Sequence, residues 1–225
     1  MPSAAVLRQP SRTLVIAAAA VPLALAVLAD DVRVRRQLQA ARRDPLTGLP
    51  GRDALTAHGD RLLHSSRRDT AHVILLDGNG FKAINDTHGH AAGDAVIRTT
   101  GRRLARWAAT HDAMAARVGG DEFAAIAALL PATALADITA LREQLQRPLH
   151  HDGLTLQMTV SIGIARAIDL PGEAFGRILR GADTAMYKVK TGQAPFPYLA
   201  TRTDAYTDTV NGRRAGRPGT HLPAA

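Results

Sequence analysis

Apolar and polar positions along this chain change period from one segment to the next. Residues 13–29 (TLVIAAAAVPLALAVLA) form a run of 17 residues without a charge. At about 1.5 Å per residue this run makes roughly 25 Å of helix, the short end of a membrane crossing. Beyond it, Val34, Leu38 and Ala41 fall on one helical face, which predicts a connecting helix over 30–43 suited to pairing with a second copy. Residues 53–64 read as a helix with Leu55, Leu62 and Leu63 on one side, and 71–76 as a short buried strand that ends at Asp77. Over 92–109 the spacing of Val96, Ile97, Thr100, Leu104 and Trp107 predicts an amphipathic helix. Two apolar stretches, 113–118 and 123–130, flank Gly119-Gly120 and read as strands joined by a tight turn. A helix over 132–146, a strand over 154–167 rich in β-branched residues and a helix over 173–190 complete the series.

The expected fold class is an α/β (α+β) sandwich, a mixed central sheet flanked by helices, preceded by an N-terminal transmembrane helix. The expected domains are a short N-terminal segment over 1–12, the span over 13–29, the connecting helix over 30–43 and a catalytic domain over 44–193. After Gly192 the chain turns to Pro, Thr, Gly and Arg without periodicity, which predicts a disordered tail over 194–225.

Charge changes this picture in one respect. The net +8 suggests nucleic acid until it is divided along the chain: 1–43 carries +5, 194–225 carries +2 and the middle only +1. The basicity lies in the arms and aromatics are sparse, so the composition argues against nucleic-acid binding. Arg33, Arg35, Arg36, Arg42 and Arg43 outnumber Arg8 and Arg12, which places the bulk of the protein in the cytoplasm as a single-pass protein of the cell membrane. A cleaved signal peptide is the rival reading, since Arg8 and Arg12 form a basic start and small residues precede Asp30. There is no cysteine, so neither a disulfide framework nor a thiolate metal site is available.

Candidate chemistry begins at Asp77-Gly78-Asn79-Gly80-Phe81-Lys82. An acid at the end of a buried strand, then a glycine-bearing turn, then a helix start, is where α/β proteins place phosphate ligands. Gly78 and Gly80 leave main-chain amides uncovered, and Lys82 supplies a point charge for phosphate oxygens. The turn after Val118 holds a second pair of acids, Asp121 and Glu122. If the strand ends adjoin, Asp77 and Asp121 converge. Carboxylates meeting oxygen-rich phosphate favour Mg²⁺ or Mn²⁺ over zinc, and metals so held clamp the attacking and leaving oxygens of a displacement at phosphorus.

Six blocks in order, residues 44–52, 77–86, 88–94, 119–123, 160–163 and 182–188, resemble a GGDEF domain, with the nucleotidyl-cyclase-like fold of that family. Its members are diguanylate cyclases, which condense two GTP into cyclic di-GMP. The resemblance implies Asp77, Asp121 and the Gly78 carbonyl as metal ligands, with Asp121 also helping to deprotonate the ribose 3′-hydroxyl and Glu122 a supporting acid. It implies that the Gly80, Phe81 and Lys82 amides cradle the terminal phosphates, that Lys190 adds charge there, and that Asn85 and Asp94 read guanine. Gly119 and Gly120 let the chain run close under the nucleotide. Each domain would hold one GTP, so a homodimer is implied for turnover.

The chain also departs from that pattern. Asn79 stands where many members have Asp, and Gly51 replaces an Asn. The block after Lys190 is one residue short and lacks its arginine, which removes one phosphate contact. The inhibitory Arg-x-x-Asp falls at Thr110 and Ala113, so product feedback through that site is not expected. His88 and His90 read as turn residues, and Trp107 and Phe81 as packing residues.

Overall fold

The computed structural model describes residues 43–207. The expected segments before residue 43, the membrane span among them, lie outside the described residues. Among the described residues no helix is long and apolar enough to cross a membrane.

The domain is built around a four-stranded sheet. Strands β1 (Ala71–Asn79), β2 (Met114–Arg117), β3 (Glu122–Ala128) and β6 (Thr159–Arg166) form it in the order β2-β3-β1-β6, and β4 (Leu149–His151) pairs with β5 (Leu154–Leu156) in a separate hairpin. Central β1 is buried from Ala71 to Gly78, which is why its sequence reads as a continuous apolar run. Strand alternation divides the core in two. Ile74 and Leu76 face α2 (Phe81–Thr110) and α3 (Ala134–Leu145), where Val96, Ile97, Leu104, Ile138 and Leu141 are buried. Val73 and Leu75 face α1 (Arg52–Leu63) and α4 (Phe175–Lys190), among Leu55, Phe175, Ile178 and Ala182.

Four expectations are corrected. The sheet is antiparallel at every adjacent pair of its four strands, where a mixed sheet was expected. The helical crossover through α2 does make β1 and β2 parallel, but β3 inserts between them and runs against both. Residues 154–167 form two strands, because the chain leaves the β4–β5 hairpin at Gln157 and Met158 before joining the main sheet. Gln146 stitches that corner: Gln157 Nε2 donates to its main-chain oxygen at 3.0 Å, and Val160 N donates to its Oε1 at 3.1 Å. Helix α2 begins at Phe81, well before residue 92, and breaks at Gly89 (φ 80°, ψ 166°), a backbone conformation that glycine tolerates.

The tail is the fourth correction. Residues 194–207 are packed, and the remainder of the expected tail lies outside the described residues. Ala200 N donates to Ile164 O at 2.7 Å, beside a parallel bridge between Ile164 and Leu199. A short helix α5 (Arg202–Tyr206) follows, started by a capping box between Thr201 and Asp204. Ala200 and Ala205 lie against Gly181 of α4, where an added Cβ would sit 3.4 and 3.5 Å from their methyl carbons. Small residues let this segment lie close on α4, and composition alone does not reveal that fit.

Candidate active site

The polar residues concentrate where β1 ends and β3 begins. Asp77 and Glu122 are register partners, and both are buried. Both lie on the α4 side of the sheet, by the same alternation that sends Leu75 and Ala124 there. The ammonium of Lys190, the last residue of α4, reaches Asp77 Oδ1 at 2.5 Å. Glu122 Oε2 lies beneath the turn, 2.5 Å from where a Cβ on Gly119 would stand. Asp121 sits beside Gly78: Gly78 N donates to Asp121 O at 3.1 Å, and a Cβ on Gly78 would approach Asp121 Cβ to 3.3 Å. The structure thus gathers Asp77, Gly78, Gly119, Asp121, Glu122 and Lys190. The cross-strand neighbour of Asp77 is Glu122, while Asp121 flanks the next residue along.

The first turn of α2 adjoins this cluster. Gly80 takes a left-handed conformation (φ 73°) that ends β1 and starts the helix without a side-chain cap. The amides of Phe81 and Lys82 therefore stand at a helix N-terminus, where no intrahelical acceptor exists. Lys82 is exposed there. Beyond the break at Gly89, Asn85 Oδ1 rests on Gly93 so closely that a Cβ would meet it at 1.9 Å. That places Asn85 next to the neighbour of Asp94. The carboxylate of Asp94 is about half exposed and meets Arg98 at 3.3 Å. Asn79 links the end of β1 to β6, accepting from Ser161 Oγ at 3.0 Å and donating to Thr159 Oγ1 at 3.2 Å.

One contact at the glycine turn escapes sequence reasoning. Arg117 Nη1 forms a two-pronged ion pair with Asp44, at 3.0 and 2.9 Å. Its Nε donates to the carbonyls of Gly119 and Gly120 at 3.1 Å, and its Nη2 to Gly120 O at 2.6 Å. One guanidinium therefore fixes the glycine turn that carries Asp121 and ties it to the start of the domain. Burial alone would raise the pKa of Asp44. Hydrogen bonds from Thr47 and Arg117 outweigh it and hold the carboxyl below its ordinary value. The available signal was Asp44-x-x-Thr47, a spacing at which the carboxylate accepts from the Thr47 amide and hydroxyl, here at 2.8 and 2.7 Å.

Residues 41–194 match the family model described as diguanylate cyclase, GGDEF domain. The chain belongs to that family. It is 44% identical over 155 residues to an uncharacterized 19.3 kDa protein in the repSA 5′ region of Streptomyces ambofaciens, covering 69% of this chain and 81% of that one. It is 36% identical to the diguanylate cyclase DgcN of Escherichia coli over 70% of this chain, but that match spans only 39% of DgcN. Among solved structures, the coiled coil and GGDEF domain of DgcB from Caulobacter crescentus, in complex with c-di-GMP, superposes with a TM-score of 0.68. That pair is 27% identical over 83% of this chain and 98% of the other.

Proposed function

We propose that the protein is a diguanylate cyclase that joins two GTP into cyclic di-GMP as a homodimer. The observation that carries this reading is the meeting of Asp77, Asp121, Glu122 and Lys190 at adjoining strand ends, beside the free amides that open α2.

Mg²⁺ is ordinarily held by one or two carboxylates together with substrate phosphates, and Mn²⁺ likewise suits oxygen ligands. Asp77, Asp121 and the Gly78 carbonyl would hold such a cation as an all-oxygen donor set, and it would supply charge neutralisation at the phosphates. The Gly80, Phe81 and Lys82 amides face the β- and γ-phosphates, with Lys82 and Lys190 supplying positive charge. Asn85 and Asp94 take the guanine edge, where a carboxylate accepts from N1–H and N2–H₂, a pair of donors that adenine lacks.

Asp121 accepts the proton of the ribose 3′-hydroxyl. That oxygen bonds to the α-phosphorus of the GTP held by the other protomer as the bond to pyrophosphate breaks. Two such displacements close the ring and release two pyrophosphates. Positioning and charge neutralisation supply most of the acceleration, so a single domain has half a site. The apolar run and charge asymmetry of residues 1–43 support a membrane-held protein with this domain in the cytoplasm, and tethering raises the local concentration of partners.

A GTP-binding module without turnover is the second reading. It is favoured by the shortened block after Lys190 and by the ion pair that holds Lys190 on Asp77. Incubating the full chain in detergent with GTP and Mg²⁺ decides between the two. Cyclic di-GMP detected by mass spectrometry, and lost in a folded Asp121→Ala variant, supports the cyclase. Tight GTP binding without product supports the module.

A further inference from the structure

The segment after α4 ends in a carboxylate that is almost wholly enclosed. The Asp204 side chain is 1% exposed. Its Oδ2 accepts from Thr201 N at 2.8 Å, Thr201 Oγ1 at 2.9 Å and the Tyr198 hydroxyl at 2.9 Å. Its Oδ1 receives the ammonium of Lys188 at 2.5 Å, and Lys188 also donates to the Tyr198 hydroxyl at 3.2 Å. Lys188 lies in the last turn of α4, two residues before Lys190.

That turn has reason to need support. The middle of α4 is seated on the sheet at Ala182 and Met186, over Gly163. The last turn continues past that seat, and helix ends fray unless their carbonyls and side chains find partners. Here the chain folds back: Gln193 N and Ala194 N both donate to Lys188 O, at 2.8 and 3.1 Å. The same segment holds the other end of α4, where Arg177 donates to Ala205 O at 3.2 Å and stacks on Tyr206 at 4.5 Å. The last turn of α4 is therefore held from two directions, by Asp204 through Lys188 and by Asp77 through Lys190.

We propose that the Lys188–Asp204 pair is a positioning latch that sets the Lys190 ammonium at the triphosphate end of the nucleotide site, so residues 194–207 contribute to GTP recognition without touching GTP. This rests on the cyclase reading of the site. Releasing the latch lets the last turn fray and Lys190 swing away from Asp77. The loss falls on the β- and γ-phosphates and leaves guanine contacts intact. Affinity for GTP therefore drops while affinity for GMP, which lacks those phosphates, does not.

The test is calorimetric titration of the full chain with GTP and with GMP, in Mg²⁺, for wild type, Asp204→Asn, Lys188→Met and Lys188→Arg. The ratio of GTP to GMP affinity is expected to fall about fivefold to tenfold in Asp204→Asn and Lys188→Met, the scale of a modest misplacement of a binding group, and to hold in Lys188→Arg. A general loss of structure would lower both affinities together and leave the ratio alone. If either variant fails to fold by circular dichroism, Tyr198→Phe keeps the ion pair and removes one donor, and is expected to move the ratio the same way by less. An unchanged ratio in folded variants overturns the latch. A wild-type protein that binds neither nucleotide overturns the cyclase reading itself, whereas one that binds GTP with variants unmoved overturns only the latch.

Discussion

Lys188 and Lys190 stand two residues apart on one helix, and each reaches an aspartate at 2.5 Å. The two carboxylates are used differently. Asp204 is enclosed, with three donors on one oxygen and the Lys188 ammonium in ion-pair contact with the other. Asp77 takes the Lys190 ammonium on one oxygen, and its other oxygen receives no hydrogen bond from the described residues. A closed carboxylate holds structure. One with an open oxygen beside further acids has capacity left for a cation or a substrate, so the same pair of residue types serves two ends along one helix.

The contrast breaks most decisively by removing each acid in turn. Asp77→Ala is expected to cut cyclic di-GMP formation by at least about 10²–10³-fold, the scale seen when a preorganised electrostatic group is lost. Its unfolding free energy should move by less than about 1 kcal/mol, because the partner Lys190 is more than a third exposed and its ammonium returns to water. Asp204→Ala is expected to reverse this, destabilising by about 2–3 kcal/mol, since it leaves several buried donors unanswered. Urea unfolding alongside product assays checks both. Similar losses of stability in the two variants would erase the distinction.

Acid and base sharpen it next. Burial alone would raise the pKa of Asp204, but Lys188, Thr201 and Tyr198 together hold it below its ordinary value of 3.8. Its folded pKa is depressed, so its contribution is complete above about pH 3.8 and is lost as pH falls through the lower folded value. Lys188 is raised above its ordinary 10.5, by Asp204 first, so its contribution is complete below 10.5 and disappears as pH rises through the higher folded value. Wild-type stability should therefore fall at both extremes, and Asp204→Asn should flatten both limbs in a pH series of thermal unfolding. The smallest effect belongs to Arg98→Ala. Its pairing with Asp94 is half exposed and one helical turn apart, so stability should change by no more than about 0.5 kcal/mol.

Much of this architecture can be read from residue patterns, and what cannot has a common cause. The strand over 71–76 is legible because both of its faces are buried, and the Gly119-Gly120 hairpin because apolar runs flank a glycine turn. The neighbours of β1 are not legible, since the insertion of β3 beside it is a choice of pairing that no local period encodes. The Arg117–Asp44 contact joins positions 73 apart, and neither residue type demands the other. The packed segment after α4 hides for another reason. Its composition matches disordered chain, yet Thr201-x-x-Asp204 is a capping spacing that overrides composition for one short helix. Among the acids, strand register supplies a fact that residue spacing does not, that Asp77 lies opposite Glu122.

Gly163 carries a consequence for how this domain tolerates change. A methyl group there would stand 2.0 Å from Ala182 O and 2.1 Å from Met186 N, so strand and helix meet main chain to main chain. Nineteen of the twenty amino acids are excluded at a position that takes no part in the chemistry. Random mutagenesis should find it among the least forgiving codons in the domain, as unforgiving as those of the acids it indirectly supports.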